Sequence, residues 1–253
     1  MITFDIETGA LPWEQLVKLC PTFDAEAAIP DPGEFDPASV KTGNLKDATK
    51  IAAKVDEARA DHDAQRRTLY YRRRQAADKH VTDFQSKAAL DATTGRVLAI
   101  GVLHSGSSVD PKMVECWVGG EHNILEAFWR LVRSSLDLGV TMCGHNIHGF
   151  DLPFLVRRSW ILGIDVPEKA HNGRYWDAIF VDTMRRWQLG GRDMVGLDPL
   201  CKAFGTEGKA EGMGGADFDK FFHGTPDERQ KALDYLRQDV IATRRLADSL
   251  QIL

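Results

Sequence analysis

The chain reads as a mixed α/β sheet flanked by helices, with a long helical insertion after the first strand. Three observations predict it. The chain opens on an apolar, β-branched stretch, ITFDIET, and its later segments continue a β-β-β-α-β-α-β-α order. A charged, alanine-rich and proline-free stretch from Leu45 to Leu90 separates that first strand from the rest. At 253 residues and 43% hydrophobic, the chain can bury a substantial core. One domain over residues 1–253 is expected, with an insertion at 21–90 made of a loop and then a helical arm.

The elements follow in order. Residues Pro21 to Thr42 contain IPDPGEFDP, a proline- and aspartate-rich composition that predicts an extended connection with little regular structure. Leu45, Ala48, Ile51, Ala52, Val55 and Ala58 then recur near helical spacing, predicting one long helix or a helical pair. Its second half sets Arg66, Arg67, Arg72, Arg73, Arg74 and Lys79 around Tyr70 and Tyr71. That mixture is able to track a phosphate backbone, with Arg72 and Arg73 as candidate substrate contacts, although most such runs are solvated helix faces. TGRVLAIGVL predicts a buried strand and KMVECWVGG its antiparallel neighbour across the GSSVDP turn. Ile124, Leu125, Phe128, Leu131, Val132 and Leu136 form the stripe of a helix packed on that sheet. VTMCGHN is a fourth strand, DLPFLVRRSWILGI a helix beginning at Asp151, and WDAIFVDTM a fifth strand. Helical pieces around VGLDPLCKAFG precede a last helix from about Pro226 to Leu250.

Thirty-two basic against 37 acidic residues give a formal charge of -5, which argues against a protein that coats nucleic acid nonspecifically. It does not exclude an enzyme whose acidic pocket is neutralised by metal. Cys20, Cys116, Cys143 and Cys201 are far apart and make no CxxC pair, so a zinc knuckle or disulfide scaffold is disfavoured. No basic segment followed by an apolar run opens the chain, and no window reaches membrane-spanning length, so a cytoplasmic protein is expected.

The chemistry is carried by carboxylates in three separated segments: Asp5 and Glu7 in FDIET, Asp151 in GHNIHGFDLPF, and Asp239 in YLRQDV. A strand sends alternate side chains to one face, so Asp5 and Glu7 project together. Tyr235 and Asp239, four apart on a helix, lie one above the other. Carboxylates gathered at close range repel, and a divalent cation resolves the conflict. An all-oxygen set suits Mg²⁺ or Mn²⁺, two ions of which can activate water and stabilise a leaving oxygen in phosphodiester hydrolysis.

FDIET, HNIHGFD and YLRQD resemble the three exonuclease motifs of the DEDD superfamily, and YLRQD resembles its tyrosine branch: Asp234 occupies the place where the histidine branch carries its histidine. The segment LDPLCKAFGTEGKAEGMGGADFDKFF further resembles predicted 3′-to-5′ exonucleases related to the proofreading domain of family-B DNA polymerases. The resemblance covers residues 1–20 and roughly 91–250, and the segment between departs from the compact core. It implies a ribonuclease H-like fold and a 3′-5′ exonuclease that releases nucleoside monophosphates from DNA 3′ ends, preferably single-stranded. It also implies that Asp5, Glu7 and Asp239 hold one metal ion, with Asp5 shared by a second on which Asp151 acts. Tyr235 would orient the attacking water; Asn146, Phe150 and Thr8 would lie beside the terminal nucleotide. An exoribonuclease of ribonuclease D type is the nearest alternative, and a noncatalytic DNA-binding or recombination accessory protein the alternative of another class. No polymerase motif accompanies these segments, so a proofreading role would need a separate polymerase or recombination partner.

The plainer readings stand beside these. A lone DxE in a strand occurs often by chance, and only the ordered conjunction of three motifs makes it informative. Asp177 and Asp182 read as structural or sheet-edge carboxylates, His145 as shaping its turn, and His148 as exposed beside the site. Arg192, Lys202 and Lys209 are cations that could meet phosphate, with surface solubilisation the commoner role. The glycines between 205 and 215 lack phosphate-loop spacing. The six tryptophans read as packing anchors, Trp187 being the possible exception.

Overall fold

Strand alternation near the amino terminus decides where everything else packs. The computed structural model describes residues 1–171, 179–208 and 213–252. Contacts divide it into two units, one of Met1–Leu16 with Ala88–Leu253 and one of Val17–Lys87.

In the first unit, β1 (Ile2–Ala10) is the central strand of a five-stranded sheet ordered β3-β2-β1-β4-β5. β2 (Gly95–Leu103) pairs antiparallel with β1, and β3 (Glu115–Val118) antiparallel with β2. β4 (Met142–Gly144) and β5 (Phe180–Asp182) continue the other edge in parallel. The mixed sheet with covering helices is consistent with a ribonuclease H-like fold. The expected start of the fifth strand at 176–178, with Asp177, lies outside the described residues, as do Lys209 and Gly212.

Phe4 and Ile6 point from β1 into an apolar layer shared with Phe128, Trp129, Leu152 and Leu155, and the Phe4 and Phe128 ring centres are 5.2 Å apart. Leu98 and Leu103 of β2 belong to a second layer with Phe218, Phe222, Leu236 and Val240. The long insertion helix is α1 (Ala48–Ala88). The helices of the first unit are α2 (Glu121–Leu138), α3 (Asp151–Ile161), α4 (Thr183–Gln188), α5 (Leu197–Ala203), α6 (Gly215–Phe222) and α7 (Pro226–Ser249). Helix α7 starts on a reciprocal cap: Thr225 accepts from the Glu228 amide, and Glu228 accepts from the Thr225 amide, with Pro226 in the first turn.

The close approach of α7 to the sheet is set by Gly101. A Cβ there would stand 2.8 Å from Val240 Cγ2 and 3.0 Å from Leu236 Cγ. Gly101 is the β2 residue facing Asp5 across the ladder. The missing side chain therefore lets the last helix settle onto the sheet beside the first carboxylate strand.

The second unit is built on α1, a single helix rather than the helical pair also allowed by the spacing. Its loop is less featureless than its composition predicts, with short helical turns at Ala25–Ala28 and Pro37–Ser39 capped by Asp24 and Asp36. The loop lies antiparallel along the helix. Pro21 and Phe23 meet His80, Glu26 and Ile29 meet Arg73, and Phe35 meets His62 and Arg59. His62, Arg73 and His80 are separated by eleven and seven residues, close to three and two helical turns, so the loop follows one stripe.

Tryptophan packing departs from expectation. Trp129 is fully buried and donates to Ser159 Oγ at 2.7 Å, but Trp13, Trp160 and Trp187 are exposed. The apolar layers are filled by Phe, Leu, Ile and Val instead. No described helix is long and apolar enough to cross a membrane.

Candidate active site

The site forms where β1, the turn after β4, and α7 converge. Asp5 and Glu7 leave β1 on the face opposite Phe4 and Ile6, as alternation requires. Between Glu7 and Thr8 the pairing with β2 shifts by one residue, so Ala99 faces Glu7 whereas Val97 faces Thr8. From α7, Tyr235 and Asp239 arrive one turn apart on the face turned to the sheet, exposed by only 2% and 3%.

β4 is short, and its pairing with β1 ends at Thr3–Cys143. Beyond it the chain turns tightly: Asn146, at φ 60°, offers its carbonyl to the amides of Gly149 and Phe150. Gly144 is required here, because a Cβ would stand 2.2 Å from Ile147 Cγ2 and 2.9 Å from the Phe4 carbonyl oxygen. The turn delivers Asp151 as the first residue of α3, nearly buried. Its Oδ1 accepts the main-chain amide of Ile6 at 3.3 Å, so the N–H between Asp5 and Glu7 is bonded to the second motif's carboxylate.

The convergence forms an open cavity of about 330 Å³ lined by Asp5, Glu7, Asn146, Phe150, Asp151, Tyr235 and Asp239, together with His145 and Leu197. Asp5, Glu7 and Asp239 each bring one carboxylate oxygen within 4.8 Å of the others, the geometry of a group able to hold a cation. Three hard oxygens, two from largely buried side chains, suit a divalent ion better than they suit mutual proximity without one. Asp151 lines the same cavity outside that group of three.

Thr8 does not line the cavity, and its hydroxyl donates to the Ala89 carbonyl at 2.7 Å. Arg72 and Arg73 belong to the second unit. There Arg73 donates through Nε to the Ile29 carbonyl at 2.9 Å and pairs with Glu26 at 3.3 Å, whereas Arg72 is exposed. Lys202 pairs with Asp198 of its own helix.

Over residues 87–246, well over half of the chain, the sequence matches the family model described as a predicted 3′-5′ exonuclease related to the exonuclease domain of PolB. The chain belongs to this exonuclease family. No curated protein matches the chain in sequence. Among solved structures, the family B DNA polymerase of the hyperthermophilic archaeon Pyrobaculum calidifontis is similar to it, with a TM-score of 0.51 and 21% identity over 66% of this chain. This chain spans 23% of that polymerase chain, and the likeness is one of fold.

One part of the site corrects the sequence reading. His148 is buried rather than exposed beside the site: its imidazole is 1% exposed, with Nδ1 3.4 Å from Asp182 Oδ2. Asp182 in turn accepts the main-chain amides of Asn146, His148 and Met184 at 2.8, 3.0 and 2.9 Å. A single carboxylate thus ties the turn carrying Asn146 and leading to Asp151 to the start of α4. Burial opposes its ionisation, but the bonds from His148 and these amides outweigh that and hold its carboxyl below the usual range. Its contribution to stability is therefore complete above the ordinary aspartate pKa, near pH 4, and fades as acid protonates the folded form. Asp182→Ala leaves two buried amides and a half-buried one without their acceptor and is expected to lower unfolding free energy by about 3 kcal/mol. Urea denaturation at pH 7 measures this; a loss below about 0.5 kcal/mol would contradict it.

Sequence reasoning also passed over Gly101 and the lining role of His145. His145 Nδ1 shares a hydrogen bond with Thr183 Oγ1 at 2.8 Å, and that hydroxyl lies 3.3 Å from the Gly144 carbonyl oxygen, so the ring is held where it lines the cavity. The GHN tripeptide was the available signal, because a histidine beside a forced turn has few directions to point.

Proposed function

We propose that the chain is a metal-dependent 3′-5′ exonuclease that hydrolyses the terminal phosphodiester bond of single-stranded DNA and releases nucleoside monophosphates. The observation that carries this reading is the closeness of Asp5, Glu7 and Asp239 in a cavity that also receives Asp151 and Tyr235. Asp5, Glu7 and Asp239 would hold one Mg²⁺ or Mn²⁺, with Asp5 shared by a second ion on which Asp151 acts. Bound there, the ions supply an activated water and charge stabilisation of the departing 3′ oxygen. Oxygen from water bonds to phosphorus, and the bond to the penultimate nucleotide's 3′ oxygen breaks. The products are a nucleoside 5′-monophosphate and a shortened strand ending in a 3′ hydroxyl.

The chain's own groups orient this reaction. Tyr235, packed in the apolar layer and lining the cavity, directs the attacking water with its hydroxyl. Asn146 and Phe150 hold the terminal nucleotide, a polar contact and a ring face at the cavity wall. Thr8 has its hydroxyl engaged at Ala89, so its contribution comes through the bulged main chain. A cavity of about 330 Å³ has room for one frayed nucleotide rather than a base pair, which favours single strands. The kinship with PolB exonuclease domains supports DNA.

The test uses 5′-labelled single-stranded DNA, duplex DNA and RNA, each with Mg²⁺, Mn²⁺ or chelator. Stepwise shortening of the single-stranded DNA is expected, ending with chelator and falling by about 10³-fold or more in Asp5→Ala. Tyr235→Phe should retain part of the rate. Cleavage that survives chelation or Asp5→Ala would remove the reading, and faster shortening of RNA would replace DNA as the substrate.

A further inference from the structure

The loop of the second unit covers one stripe of α1 and leaves an arginine and tyrosine face of the same helix uncovered. Arg67, Tyr70 and Arg74 are three and four residues apart and share a side roughly a third of a turn from the loop-bearing stripe. Tyr70 and Tyr71 are each 68% exposed, with ring centres 5.7 Å apart and planes at 78°. Arg66, Arg67, Arg72 and Arg74 are exposed and make no ion pair among the described residues, and Asp and Glu are absent from residues 64–77. Arg73, at the same level, is consumed by Glu26 and Ile29.

A solvated face built only for solubility has no need of adjacent exposed phenol rings, and a chain of net charge -5 concentrates this positive run against its own balance. We propose that this face of α1 binds single-stranded DNA, the arginines meeting phosphates and Tyr70 and Tyr71 stacking on bases. Charge complementarity selects a polyanion, and the rings select one whose base faces are open, which a duplex hides. The choice of DNA over RNA rests on the substrate reading above. The binding itself is independent of the carboxylates and of cleavage.

The experiment measures anisotropy of a labelled 20-nucleotide oligothymidine with the full chain in EDTA, so that no cleavage intervenes. Arg67→Glu with Arg74→Glu is expected to weaken binding at least tenfold. It should also reduce the steepness of log affinity against log salt by about 1.4, as for two lost phosphate contacts on a single strand. Tyr70→Ala with Tyr71→Ala should cost at least about fivefold. Arg130→Glu, an exposed change on α2, should leave binding unchanged. Circular dichroism checks that α1 persists, and Arg67→Gln with Arg74→Gln supplies a milder pair with the same direction. Unchanged affinity and salt dependence in the arm variants would overturn the proposal, as would tighter binding of duplex DNA, oligouridine or polyglutamate. A chain that binds through this face yet shortens no 3′ end would cost the exonuclease reading alone. Shortening that proceeds while the arm variants bind normally would cost this one alone.

Discussion

Asp239→Asn is expected to reduce strand shortening by about 10³-fold or more while making the metal-free protein more stable. The two effects share one cause. Asp239 is almost fully buried and holds an oxygen within 4.8 Å of those of Asp5 and Glu7. Without a cation, that proximity costs folding energy through like-charge repulsion between carboxylates that are largely buried. An asparagine of nearly the same volume removes one charge from the cluster without opening a cavity, and relief of about 1 kcal/mol is expected in chelator. With excess Mg²⁺ or Mn²⁺ the order reverses. A ligand that binds only the folded form stabilises it by about 2.7 kcal/mol at a hundred times its Kd, and the substitution forfeits most of this gain. Thermal melts with chelator and with metal, run beside the shortening assay, test all three signs. A substitution that destabilises the metal-free form, or leaves the metal-dependent increase in Tm unchanged, would contradict the assignment of Asp239 to the metal group.

Glu121→Ala should be the most damaging single change away from the site, costing about 3–5 kcal/mol. Arg158, 4% exposed, gives Nε and Nη2 to the two oxygens of Glu121 at 2.9 and 2.8 Å, and its Nη1 to the Ala92 carbonyl at 3.0 Å. Glu121 also accepts the Val97 amide at 2.8 Å. The pair thereby fastens α2, α3 and β2 at one point. Removing the acid strands a guanidinium in a nearly dry position and leaves a strand amide without its acceptor. Replacing both partners, Glu121→Leu with Arg158→Met, should recover most of the loss, because no unmatched charge remains. Urea unfolding of the two variants checks this, and a loss below about 1 kcal/mol for Glu121→Ala would show that water reaches Arg158.

The local grammar of this fold was legible in its residues, whereas its long-range meetings were not. Strand alternation placed Asp5 and Glu7 together, helical spacing paired Tyr235 with Asp239, and the apolar stripe from Ile124 to Leu136 lies within α2, which ends at Leu138. Each depends on neighbours a few residues away. The burial of His148 depends on Asp182, 34 residues further on, and nothing in HNIHGFD reveals that this carboxylate lies underneath. Gly101 gave no sign either, because a glycine inside a strand reads as a weakness until the helix crossing above it is known. The shift between Glu7 and Thr8 is likewise a property of two strands rather than one.

The bond from the Ile6 amide to Asp151 places one part of the site beyond the reach of ordinary side-chain replacement. Position 6 can exchange one strand-forming residue for another, at whatever cost to the core, and still present the same N–H midway between the two carboxylates. Proline alone among the coded residues erases the donor. The spacing of the first and second motifs is thus written into the peptide unit itself, and an amide-to-ester replacement at Ile6 would loosen Asp151 while leaving every side chain in place.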